Sequence, residues 1–187
     1  MEGQNAGDPM TVDFFVPGVP APGGSKSYMG QSKSGRAIIR DSSKRAPAWK
    51  DSVNTHAIQA MNGRPVIDKG VPLVCNFEFI MPRPQGHYRT GKHEGELKDW
   101  AINKKHTTKP DTLKLQRPTE DAMTGVVWTD DSQVFEQSAT KRYAMPGEMT
   151  GVRIRVTAAS IAGKDELWTR SGLTLLRSMN CLTTSPA

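Results

Sequence analysis

The chain is poor in cysteine and in aromatic residues and has no long apolar run, and each shortage closes off a class of function. Its two cysteines, Cys75 and Cys181, lie far apart. That excludes the paired spacing of a thiolate zinc site and fits a reducing compartment. No stretch of about 18 apolar residues is present to span a bilayer. Met1 to Met10 is polar and Gly-rich rather than a basic segment leading into an apolar one. The expectation is a soluble, cytoplasmic protein with no membrane partner. Aromatics are 6% of the residues and scattered, which argues against a stacking platform for single strands. His56, His87, His93 and His106 lack the close spacing of a histidine metal site.

What is present is enough chain, 187 residues, for one hydrophobic core, and a formal charge of +6. With a pI near 9.4, a polyanion is attracted before any specific contact forms. Charge alone suits a merely soluble surface equally well; its distribution says more. Lys26, Lys33, Arg36, Arg40, Lys44, Arg45 and Lys50 crowd the first third, and Lys98, Lys104, Lys105 and Lys109 precede a run of acids. Basic flanks around an acidic centre suit phosphodiester cleavage, where phosphates are held while carboxylates hold a metal.

Hydrophobic patterning predicts an α+β fold in one domain: a small mixed β-sheet with helices packed on it. Val12 to Val16 reads as a first strand closed by Pro17-Gly18, and Pro20 to Gly35 as a mobile loop. Ala37 to Ile39 reads as a second short strand. Trp49, Val53, Ala57, Ile58 and Met61 recur at helical spacing, with Pro47 near the first turn and Gly63 beyond the end. Val71 to Met81 reads as a buried strand, followed by a long polar loop from Arg83 to Lys109 that is either functional or disordered. Asp111 to Gly125 is partly helical. Val134 to Tyr143 and the alternating Val152, Ile154, Val156 read as an antiparallel hairpin around Pro146-Gly147. Residues 1–10 are expected to be a disordered leader, 11–158 the domain, and 159–187 an extension that forms a partner helix or stays disordered.

The acids concentrate between Lys109 and Val134: Asp111, Glu120, Asp121, Asp130 and Asp131. Magnesium prefers one or two carboxylates plus water and phosphate, so Asp residues beside Lys and Arg are the expected form of a phosphodiester-cleaving site. The ordinary reading of the same residues is helix caps, dipole partners and turns. Arg117 likewise reads either as a phosphate contact or as an ion pair with Asp121, one helical turn on.

The segments KPD, KLQR, EDAMTGVVW and DDSQV, with FFVPGVPAPGGSKS near the N-terminus, resemble the RusA family of Holliday junction resolvases over roughly residues 11–158. The resemblance implies a homodimeric, magnesium-dependent endonuclease, with manganese able to substitute, that cuts four-way DNA junctions by paired hydrolysis and uses no small-molecule cofactor. It assigns Asp111 and Asp131 to the metal, with Asp130 adjacent and supporting. Neighbouring strand residues face opposite ways, so Asp131 is preferred over Asp130. Arg117 takes the place of a functional lysine, exchanging a compact ammonium for a planar fork. Lys109, Lys114, Lys141, Lys26, Lys33 and Arg36 are candidate DNA contacts. One departure stands out: Leu113 occupies the position of the family's second Asp, so Glu120, Asp121 or Asp130 supplies the missing oxygen, or the protein binds junctions and cuts poorly. Pro118 is expected to kink its helix or restart it, swinging Glu120 or Asp121 toward the metal. The rivals are a non-cleaving junction binder of the same fold and, from another class, a basic assembly protein that binds RNA or protein.

Overall fold

In the computed structural model, which describes residues 10–23, 26–41 and 43–159, the predicted patterns settle into a mixed sheet with helices on one side. Strands β1 (Thr11–Pro17), β4 (Leu73–Met81), β5 (Val134–Tyr143) and β6 (Gly151–Ala158) form the order β1-β6-β4-β5. Pairing is antiparallel except for β4 with β5, which run parallel. Strands β2 (Lys26–Gln31) and β3 (Ala37–Asp41) form a separate antiparallel ribbon. The fold is α+β, as the patterning predicts.

Helix α1 (Ala46–Met61) carries Pro47 in its first turn, where a missing N–H costs nothing, and ends at Asn62 in the left-handed region, φ 45°. Its buried stripe of Trp49, Val53, Ala57 and Met61 packs on β1 and on α3 (Thr112–Asp121). Alternate residues of the central strands, Leu73, Cys75, Phe77 and Phe79 on β4 and Val152, Ile154 and Val156 on β6, supply the rest of the core. Each such side chain contributes about 1.5–3 kcal/mol on full burial. The opposite sheet face is polar: Arg155 pairs with Asp13 at 2.6 Å and Arg142 with Glu78 and Glu148 at 2.7 Å each. Among the described residues no helix is long and apolar enough to cross a membrane.

Several expectations are corrected. β5 and β6 are not a hairpin, because β4 lies between them. Their connection reads locally as a turn, but β6 pairs along its length with β1 on one side and β4 on the other, its Val152, Ile154 and Val156 joining the core. Residues 26–31, expected in a mobile loop, form β2; a two-stranded ribbon needs no apolar alternation, so periodicity could not reveal it. Residues 83–109 contain short helical turns and α2 (Asp99–Ile102), anchored by Arg83 donating to Ala144 O and Ala101 O. Met10, placed in the leader, packs against the core and accepts from Ala158 N. The remainder of the expected leader and residues 160–187 lie outside the described residues.

Candidate functional site

Pro118 sits inside α3 without interrupting it. Having no N–H, it leaves the Lys114 carbonyl without its helical donor. Gly23 fills that place, donating its backbone N–H at 2.8 Å. A Cβ on Gly23 would lie 3.0 Å from the Pro118 ring, a tight contact that glycine avoids. The helix does not restart at Pro118, and the N-terminal loop is grafted onto it there. Trp49 Nε1 donates to Thr119 Oγ1 at 3.0 Å and Asn54 to Ala122 O at 3.1 Å, which fixes α3 against α1.

So held, α3 presents Leu113, Lys114, Gln116, Arg117, Glu120 and Asp121 to a cleft of about 580 Å³, closed by Gly23, Asp131 and Gln137. Helical spacing explains the set, since residues three, four and seven apart share a face. Asp131 arrives from the other side through a tight turn. Gly125, at φ 79°, donates to Trp128 O at 2.7 Å, bringing Thr124 Oγ1 and the buried Trp128 Nε1 (2.9 Å) onto Asp131 Oδ1 as donors. Both donors take the same oxygen.

Glu120, half-buried, accepts from Gln137 Nε2 at 2.7 Å. Burial pushes its carboxyl above the usual range, and the negative charges of Asp131 and Asp121 push it further, against the Gln137 bond and the Arg117 charge. Beneath them the buried Cys75 thiol is pushed up to about 12, first by burial and then by Glu120 and Asp131. It stays a thiol, and it registers the negative potential of the two acids above it. Asp121 pairs with Lys50 at 2.7 Å and not with Arg117, so the ion pair that is the ordinary alternative to a phosphate contact does not form. Among the described residues Arg117 has no ion pair within 4 Å, and its exposed guanidinium faces the cleft.

Other sequence candidates lie elsewhere. Asp111 stands at the N-cap of α3 without capping it; its carboxylate faces Lys114 at 3.6 Å, and it does not line the cleft. Leu113, two residues on, does line it and is 77% exposed. Asp130 is turned away: it caps a 3-10 turn (Asp131–Gln133), accepts from Ser132 N at 2.9 Å and lies 3.6 Å from Lys69. Those contacts, the Ser132 bonds foremost, hold its carboxyl below the usual range. The cap, rather than strand alternation, keeps it out of the set of residues that line the cleft with Asp131. Lys141 donates to Thr108 O and Pro110 O at 2.8 and 2.7 Å, fastening the chain that leads into Asp111. Lys33 and Arg36 are exposed near the turn of the β2–β3 ribbon, Lys109 is exposed, and Lys26 opens β2. Among the described residues no three His, Cys, Asp or Glu side chains converge to hold a metal.

Sequence reasoning missed Gly23, Gln137 and Lys50, whose roles come from contacts distant in sequence. It also missed the meeting of His87 and His106 on the Tyr143 ring, with centroids 5.0 and 4.4 Å away. A sequence model of the family described as endodeoxyribonuclease RusA matches residues 17–157. No curated protein matches the chain.

Proposed function

The chain belongs to the RusA endodeoxyribonuclease family, and from that premise we propose that it is a divalent-metal-dependent nuclease that resolves four-way DNA junctions as a homodimer, in recombination, repair or phage DNA processing. The observation that carries the reading is one cleft lined together by Asp131, Glu120, Lys114 and an Arg117 that makes no ion pair among the described residues. The donor set fits magnesium or manganese, which take hard oxygens from one or two carboxylates and complete their shell with water and phosphate. Asp131 and Glu120 would hold the ion, with Asp121 beside them and Asp111 at the head of the same helix. When bound, the ion supplies Lewis-acid polarisation of the scissile phosphate and activation of water for in-line attack.

The protein's own residues do the rest. Trp128 and Thr124 both donate to one Asp131 oxygen, so the carboxylate is oriented before substrate arrives. Gln137 does the same for one oxygen of Glu120. Arg117 presents a planar fork to two phosphate oxygens, and Lys114 a mobile point charge beside it. Phosphate contacts of this kind place the strand without reading its sequence, so branch geometry sets specificity.

A second reading, a junction-binding protein that cuts poorly, is favoured by Leu113, an apolar side chain on the cleft face where the family carries Asp. One experiment separates the two: a labelled four-way junction and a linear duplex of the same arms, in magnesium and in chelator, with wild type, Asp131→Asn and Leu113→Asp. Symmetric paired nicks in the junction, abolished by chelator and by Asp131→Asn, are the expected result. Tight junction binding, with cuts from Leu113→Asp alone, would establish the second reading.

A further inference from the structure

The β2–β3 ribbon is rooted at the cleft. Gly23, which lines the cleft and is bonded to α3, lies three residues before β2 begins, and α1, whose Lys50 and Trp49 hold Asp121 and Thr119, begins five residues after β3 ends. The segment before the ribbon and the helix after it are therefore both anchored beside the acids. Its side chains are unlike those of a solvated hairpin. Tyr28 is 64% exposed, Met29 62% and Ile38 37%, while Lys33 and Arg36 project near its turn. The register shifts between Tyr28 and Gln31, with Gly30 at φ 115°, so a bulge re-aims the strand just where its apolar residues stand.

We infer that this ribbon is the branch-recognition element of the proposed junction nuclease, with Tyr28 and Met29 seating against bases unstacked at the branch point while Lys33 and Arg36 hold the flanking phosphates. The inference rests on the nuclease reading above. A two-stranded ribbon is of a size that enters a DNA groove. Apolar side chains entering between base steps and aromatic side chains stacking on bases are general modes of nucleic-acid contact. An intact duplex offers no free base face, whereas a four-way branch point does, so apolar residues here reward branching and the cations do not discriminate. Tyr28 lies at most about 17 Å along the chain from Gly23, at up to ~3.4 Å per residue. That is on the order of five base-pair steps at ~3.4 Å each, which keeps the contacted branch and the cut phosphate on one stretch of strand.

The test measures binding in chelator, where no cutting occurs, of wild type, Tyr28→Ala/Met29→Ala and Lys33→Ala/Arg36→Ala. The probes are a four-way junction, a linear duplex, and a junction carrying 2-aminopurine at the branch. Tyr28 and Met29 are exposed, so melting temperature should not move and serves as the folding control. The apolar double variant is expected to lose about 10-fold or more in junction affinity, to keep duplex affinity within about twofold, and to lose the 2-aminopurine response. The basic double variant is expected to weaken both substrates alike and to flatten the salt dependence by about two units of slope. Unchanged junction preference in the apolar variant, with wild type still cutting junctions in magnesium, overturns the ribbon's role and leaves the nuclease reading intact. A wild type that neither prefers nor cuts junctions overturns both.

Discussion

At the scale of the residue, Glu120 and Asp131 illustrate how a site stores unfavourable charge. Burial and two neighbouring carboxylates raise the Glu120 carboxyl above its ordinary value of 4.5. A carboxyl raised in the folded protein binds more protons there than in the unfolded chain. Its contribution to stability is therefore lost as pH rises from about 4.5 through the folded value. At neutral pH the ionised group is a liability that a bound cation relieves. Glu120→Gln keeps the shape and a partner for Gln137 while removing the charge. We expect it to raise the melting temperature at pH 7 and to weaken magnesium-dependent cleavage; scanning calorimetry with a cleavage assay reads both. A lower melting temperature with undiminished cleavage would remove Glu120 from the site.

At the scale of the element, α3 depends on a donor from outside itself. Gly23→Ala would force a Cβ to within 3.0 Å of Pro118 and push the loop off the Lys114 carbonyl. Overpacking of this sort costs about 1–3 kcal/mol, to be read by denaturant unfolding. The substitution should also displace the root of the ribbon, so wild-type stability would mean that the loop moves freely.

The segment 83–109 depends on His87 and His106, buried against Tyr143 with neither Nδ1 hydrogen-bonded. Burial first, then Lys104, Arg83 and Lys98 around His87 and Lys141 beside His106, lowers both below 6.5. An imidazole depressed in the folded state takes up its proton more readily when unfolded. The stability of the segment is therefore present above pH 6.5 and lost as pH falls below it. Amide protection across residues 83–109, taken relative to the intrinsic exchange rate at each pH, should fall between pH 7.5 and 5.5 more than protection in β4 and β6. An equal loss of protection throughout would argue against a local effect.

At the scale of the whole molecule, a net charge of +6 surrounds an acidic cleft. Association with DNA should therefore weaken steeply with salt, by roughly 0.9 log units per log unit of salt for each phosphate neutralised. Replacing Lys114 and Arg117 with alanine should flatten that slope by about two, measured by titration at several salt concentrations. An unaltered slope would take both residues out of the interface. The proposed dimer has an exposed candidate edge in β5, which ends the sheet and leaves Phe135 62% exposed, and sedimentation would determine the oligomeric state.

The sequence alone determined what local chemistry dictates. Trp49, Val53, Ala57 and Met61 wrote α1, the alternation at Val152, Ile154 and Val156 wrote β6, and the acids between Asp111 and Asp131 marked the segment that forms the cleft. These signals are legible because the period of a helix or strand is set by neighbours in the chain. Only the tertiary structure decided which acids meet. Asp131 turns inward because Trp128 and Thr124 capture one of its oxygens, Asp130 turns outward because it caps the next turn, and Asp111 lies off the cleft face that Leu113 and Glu120 share. Only the tertiary structure, too, placed β6 between β1 and β4 and bound Gly23 to Lys114 across α3. Such pairings depend on burial and on donors and acceptors brought from distant parts of the chain, and no local periodicity encodes them.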